Sequence, residues 1–172
     1  MTVVRRTRKG GFTLVEILIV VIILGILAAI VIPQFTSASQ DARRNSLTSQ
    51  LQTLRSQLEL YKLQHLDQLP TDLVDGDATD TWVQLINKTN KEGTTGTGTD
   101  YPFGPYLQAE PKNPLNGESE VQVVTADVNP GAATTGDPGF VINSANGKIW
   151  GTSAKKKFVY DESNPSATTN DN

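Results

Sequence analysis

The stretch that decides the fold is Phe12–Ile32, FTLVEILIVVIILGILAAIVI. From Ile17 to Ile32 it holds no charged and no polar side chain. Its 21 residues would make about 31 Å of helix at about 1.5 Å each, close to the roughly 30 Å hydrocarbon core of a bilayer. The apolar block continues to Phe35, interrupted by Thr13, Glu16, Pro33 and Gln34. Four cations precede it (Arg5, Arg6, Arg8, Lys9), with no acid among the first eleven residues. That asymmetry places the N-terminus on the cytoplasmic side and the rest of the chain across the membrane. A cleaved signal peptide would have a shorter apolar block, then a small-residue cleavage site and a break in composition. Here the helical pattern runs on beyond residue 36. A plain signal anchor fits the length but leaves Glu16 unexplained. A carboxylate inside an apolar span costs roughly 2.5 to 3.5 kcal/mol, taking aspartate as the guide. Such a residue normally has a partner and a function.

Outside this block the chain is ordinary in size and poor in apolar residues. It has 172 residues, a net charge of −3 and 37% apolar residues, which suggests one domain with an attached segment. The absence of cysteine excludes disulfides, thiol catalysis and cysteine-ligated zinc. His65 is the single histidine, so no two-histidine metal site exists. The charge argues against a nucleic-acid partner.

After Phe35 the chain turns polar but keeps helical spacing. Leu47, Leu51, Leu54, Leu58, Tyr61 and His65 recur at steps of four and three, and Leu60, Leu63 and Leu66 widen the apolar face. No proline or glycine interrupts residues 34–69, and Pro70 is expected to end the helix. Joined to the apolar block, this predicts one helix of about 55 residues and about 80 Å. An isolated coiled coil is the alternative. The preferred reading is a stripe that packs under a small head, with the first half of the helix packing against other subunits. His65 reads as part of the helix surface rather than as a catalytic base.

Residues 70–162 read as that head. Asp72, Asp75, Asp77 and Asp80 crowd its first loop. Thr81–Lys88 (TWVQLINK) predicts a short helix capped by Asp80, with Trp82, Leu85 and Ile86 facing inward. GTTGTGT at 93–99 is a flexible loop, and Glu120–Asp127 (EVQVVTAD) reads as a strand. Residues 139–143 and 148–152 flank an Asn-Gly turn and predict a hairpin, with Phe140, Ile142, Ile149 and Trp150 as its apolar contacts. Phe158-Val159-Tyr160, behind Lys155-Lys156-Lys157, is either a last edge strand or a solvated tail. Residues 163–172 are polar and expected to be disordered. So small a head needs the helix face at 47–66 to complete its core.

No catalytic constellation appears. G-x-S-x-G, H-E-x-x-H and a phosphate-binding glycine loop are all missing. The acids at 75–80 (D-G-D-x-x-D) invite a calcium reading, but the EF-hand order and its twelfth-position glutamate are absent. They read as caps and solvated loop.

The run Lys9-Gly10-Gly11-Phe12-Thr13-Leu14-Val15-Glu16, followed by an apolar span carrying Gly25 and then Pro33, resembles the class III signal of type IV pilins and type II secretion pseudopilins. The resemblance covers about residues 8–35. It implies an α+β pilin fold, in which a long N-terminal helix packs on a small C-terminal antiparallel sheet. It further implies a cytoplasmic leader at 1–11, cut by a prepilin peptidase between Gly11 and Phe12, and N-methylation of Phe12. Residues 12–35 would be the membrane and filament-core helix, 36–69 its amphipathic continuation, 70–162 the periplasmic head and 163–172 the tail. Glu16 would pair with the Phe12 amine of a neighbouring copy, and the helix between Gly25 and Pro33 would loosen when the subunit leaves the bilayer. The implied partners are further copies, minor pseudopilins or pilins, the peptidase, an inner-membrane assembly platform and the lipid bilayer. Tyr101–Leu107, containing G-P-Y-L, and Pro111–Gly117, P-x-N-P-x-x-G, resemble the major pseudopilins in particular, and the lack of a cysteine pair agrees with them. Those proteins bind calcium near their C-terminal strands. Here the nearest counterpart, Asn143–Gly147, has no aspartate, so no ligands are assigned. The expectation is a non-enzymatic filament subunit without a cofactor, with calcium left open. The alternatives are a type IV pilin for adhesion, motility or DNA uptake, and a signal-anchored periplasmic binding protein.

Overall fold

The computed structural model describes residues 11–74, 82–165 and 167–171. The leader cations at 5–9 and the acids Asp75, Asp77 and Asp80 lie outside these residues. The chain forms two compact units, Met1–Asp41 and Ala42–Asn172. Helix α1, Leu14–Gln64, contributes to both.

In the first unit α1 is long and apolar enough to cross a membrane. Its side chains from Leu14 to Ile32, and Phe35 after them, are exposed on every face. Pro33 sits inside the helix, where it withholds one backbone donor. Just beyond it, the Thr36 and Ser37 hydroxyls donate to the carbonyls of Ile32 and Pro33, each at 3.2 Å.

In the second unit α1 turns one face inward. Leu47, Leu51, Leu54, Leu58 and Tyr61 are buried, as their 3.6-residue spacing requires. Each such leucine contributes about 1.5 to 3 kcal/mol on full burial. The helix stops at Gln64, short of the expected end at Pro70. Leu66 and Asp67 adopt left-handed backbone (φ 58° and 63°), and the Asp67 N–H returns to the Lys62 carbonyl at 2.8 Å. This closure satisfies the Lys62 carbonyl before proline is reached. Leu60, Leu63 and Leu66 do not widen the core but stay exposed. The head covers only the narrow stripe.

The head elements are α2 (Thr71–Val74), α3 (Val83–Ile86), β1 (Val121–Val124), β2 (Phe140–Asn143), β3 (Ile149–Gly151) and α4 (Thr168–Asp171). The strands form one sheet in the order β1-β2-β3. β2 and β3 are the predicted antiparallel hairpin, pairing Phe140 with Gly151 and Ile142 with Ile149. β1 joins β2 in parallel, Val121 opposite Phe140, so the sheet is mixed rather than antiparallel throughout. A parallel neighbour needs a long crossover, and residues 125–139 supply it. Phe140, Ile142 and Ile149 pack with the α1 stripe, Trp82, Leu85 and Tyr106 into one core. Trp82 meets Phe140 edge-on at 5.6 Å.

Helix α3 is shorter than the predicted 81–88. Its first turn is capped from elsewhere in the chain: Asp72 Oδ2 accepts from the Gln84 N–H at 2.7 Å. The P-x-N-P-x-x-G segment is a staple. Asn113, fully buried, donates from Nδ2 to the carbonyls of Gly139 and Thr152 at 2.8 and 2.9 Å. Phe158 and Val159 pair with Ala133 and Thr152, which makes this segment part of the head rather than a solvated tail. The last residues are not free either. Buried Asn170 accepts from the Asp161 N–H at 2.8 Å, and its carbonyl accepts from the Ala154 N–H at 3.0 Å. Among the described residues of the expected disordered tail, backbone groups of the head thus find partners.

Candidate assembly site

The residues singled out in the sequence fall into two places. Gly11, Phe12 and Glu16 meet at the start of α1. Gly25 and Pro33 lie farther along the same helix. Gly11 and Gly25 have open space where a side chain would begin, so neither is required by packing within this chain. Phe12 is 79% exposed.

Thr13 precedes the first helical residue and acts as the N-cap. Its Oγ1 accepts from the Glu16 N–H at 3.2 Å, and its own N–H donates to Glu16 Oε2 at 3.4 Å. This reciprocal pair is a capping box, which satisfies two of the backbone donors that every helix start leaves unpaired. The carboxylate also lies at the positive end of the helix dipole. Sequence reading named Glu16 and passed over Thr13, although T-x-x-E before an apolar run is itself the signal. The same arrangement explains how an acid is held at the edge of an apolar span. Chemically, among the described residues, the site offers one carboxylate within a turn of the Phe12 backbone nitrogen and no second acid.

The head carries polar clusters with structural roles. His65 is not on the helix surface: it is 2% exposed and stacks on Tyr61 at 3.7 Å. Its Nδ1 lies 2.8 Å from the Tyr61 carbonyl and its Nε2 2.9 Å from Thr89 Oγ1. Both ring nitrogens are therefore occupied. Burial, followed by the Asp72 and Tyr106 charges, raises the Tyr61 phenol above its ordinary value.

The 143–147 turn acquires an aspartate from outside. Asp127 Oδ1 accepts from Asn143 Nδ2 at 2.7 Å and from Asn146 Nδ2 at 2.8 Å, while Oδ2 pairs with the Lys148 ammonium. The Lys148 contact, then Asn146 and Asn143, push the carboxyl down to about 2. Sequence alone could not bring Asp127 to this turn, because the meeting depends on the parallel placement of β1. Among the described residues, no group of three or more histidines or acids is arranged to hold a metal ion.

A helix with an uncovered apolar first part, begun by a capped carboxylate and ending under a small sheet, defines the pilin-like class. The family model described as the prokaryotic N-terminal methylation motif matches residues 6–32. Type II secretion system core protein G of Klebsiella michiganensis is 31% identical over 117 residues, 68% of this chain and 75% of the relative. That of Dickeya chrysanthemi is 32% identical over 114 residues, 66% and 68% of the two chains. That of Escherichia coli K12 is 28% identical over 161 residues, 87% and 97% of the two. No solved structure matches significantly. The chain belongs to the family of type II secretion system core protein G, the major pseudopilins.

Proposed function

We propose that this chain is the major structural subunit of a type II secretion pseudopilus and that its work is assembly rather than catalysis. The observation that carries this is the reach of the similarity. The 117 residues matched in the Klebsiella michiganensis protein exceed the whole stretch from Met1 to the end of α1, so the head is matched as well as the N-terminal motif. A type IV pilin or a plain anchored binding protein is the weaker reading on that ground.

In this reading a prepilin peptidase cuts between Gly11 and Phe12 and Phe12 is methylated. The open backbone around Gly11 suits a protease that needs close access. The apolar half of α1 holds the subunit in the inner membrane, with residues 1–11 cytoplasmic and the head periplasmic. Copies then bundle through that half of the helix, alongside minor pseudopilins, on an inner-membrane platform. Glu16 leaves its capping box to meet the Phe12 amine of a neighbour. An unpaired charge in a low-dielectric bundle is expensive, so pairing selects the axial register. Gly25 and Pro33 are the weak points that let the helix loosen on leaving the bilayer.

Mass spectrometry of the N-terminal peptide from native membranes tests the reading. It expects a peptide beginning at methylated Phe12. A chain beginning at Met1 or Thr2 in cells with active peptidase would mean a plain anchor, and one beginning well past Phe35 a conventional signal peptide.

A further inference from the structure

Among the described residues of the unit 42–172, the exposed large hydrophobic side chains are Leu60, Leu63 and Leu66. They are neighbours. Leu60 and Leu63 lie one turn apart on α1, and Leu66 follows in the closing turn, held in left-handed backbone that leucine adopts only at a cost. Leu63 is 83% exposed. Two acids edge the patch, Glu59 and Asp67, each 3.6 Å from the Lys62 ammonium that they share. An apolar centre with a charged rim is the anatomy of a protein interface.

A surface of the complementary kind exists elsewhere on the head. The turn 153–158 is held firmly. The Ser153 N–H donates to the Phe158 carbonyl at 2.8 Å, the Lys156 N–H to the Ser153 carbonyl at 2.9 Å, and Thr134 Oγ1 to the Lys156 carbonyl at 2.5 Å. Lys156 spends its ammonium on Glu118 at 2.6 Å. Lys155 and Lys157 are exposed and make no ion pair among the described residues. Lysine stems cover apolar surface while their heads reach for acids. Two such side chains on a rigid turn match three leucines rimmed by Glu59 and Asp67. A surface that meets a different surface of an identical molecule repeats head to tail, and an open filament is built from contacts of this kind whose rotation does not close.

We infer that, in the filament, the Leu60–Leu63–Leu66 patch of one copy receives the Lys155–Lys157 turn of the next. This rests on the filament reading above and names the head surfaces that meet. The absence of cysteine makes the test clean. The full-length chain is expressed with its secretion machinery as Leu63→Cys with Lys155→Cys, as Leu63→Cys with Lys157→Cys, and as each single variant. Filaments are then treated with a short bismaleimide. The expected result is a ladder of dimers, trimers and higher rungs from a double variant, with monomer alone from the singles. Filaments visible by electron microscopy but without a ladder from either pair would overturn the inference and leave the filament reading standing. Dimers without higher rungs would also overturn it, since they mean a two-fold contact. Absence of filaments from the unsubstituted chain would overturn both. If the cysteine pairs fail to assemble, charge reversal decides. Glu59→Lys or Lys155→Glu alone should lower filament yield several-fold and the two together should restore it; no recovery overturns the inference.

Discussion

Arg55, midway along the head-covered part of α1, holds Glu162 with both arms of its guanidinium, at 3.0 and 2.5 Å. The same side chain donates to the Ile149 carbonyl at 3.2 and 2.8 Å. One arginine therefore ties the helix to strand β3 and to the segment that follows the sheet. Lysine could supply the charge but not the planar fork. Arg55→Met is expected to cost about 1 to 3 kcal/mol, because it strands a half-buried carboxylate and a strand carbonyl. Arg55→Lys should fall between. Urea unfolding of the full chain in detergent measures both, and equal midpoints for all three chains would refute this assignment.

Two leucines on one helix should behave oppositely. Leu54 is 1% exposed and sits in the core, whereas Leu63 is open to solvent. Leu54→Ala should lower stability by about 2 to 5 kcal/mol through lost burial and a residual cavity. Leu63→Ala should change it by no more than about 0.5 kcal/mol. A large loss at Leu63 in the dispersed subunit would mean that its patch is already covered within the chain.

At Gly139 the backbone is crowded for a reason unrelated to φ. A Cβ there would lie 2.2 Å from the Glu118 carbonyl oxygen, in the loop stapled by Asn113. Gly139→Ala must push that loop away and break the Asn113 bonds, for about 1 to 3 kcal/mol. Asn113→Ala should produce a loss of similar size. The double variant should lose less than the sum, since both damage one contact, and strict additivity would refute the shared staple.

Asp127 gives the head a pH dependence of known sign. Its folded value, about 2, lies below the ordinary 3.8. The contact therefore adds stability above about pH 4 and loses that contribution as pH falls from there toward 2. A carboxyl-carbon NMR titration should place its midpoint near the lower value. Lys148→Met should move the midpoint up, because the ammonium is the largest cause. A midpoint at the ordinary value in the unsubstituted chain would show that the contact does not form in solution.

The helix was legible because its signals are local. Apolar length, the 47-51-54-58-61 spacing and the G-F-T-L-V-E run each sit within a few turns. The hairpin announced itself through Asn146-Gly147, where Gly147 has φ 75°. What stayed hidden depends on distant partners. Asp72 caps α3 from another element. Asn170 reaches back to Asp161 and Ala154. Asp127 comes to the 143–147 turn only because β1 runs parallel to β2. His65 looked like surface because its covering residues, Thr89, Phe103 and Tyr106, come from loops without periodicity. At the start of α1 the sequence named the acid, and the structure added the threonine that holds it.

The order in which the chain emerges gives the wide sequence separation of the core a further meaning. In the proposed topology the α1 leucines cross the membrane first, while Ile149, which shares their core and lies beside Arg55, follows 94 residues after that arginine. At about 5 to 20 residues per second the intervening residues take seconds to be made, whereas a helix forms in about a microsecond. For that interval a newborn subunit of that topology has its leucine stripe uncovered, before the strand that completes the core exists. Synthesis rate then becomes part of how faithfully each head folds.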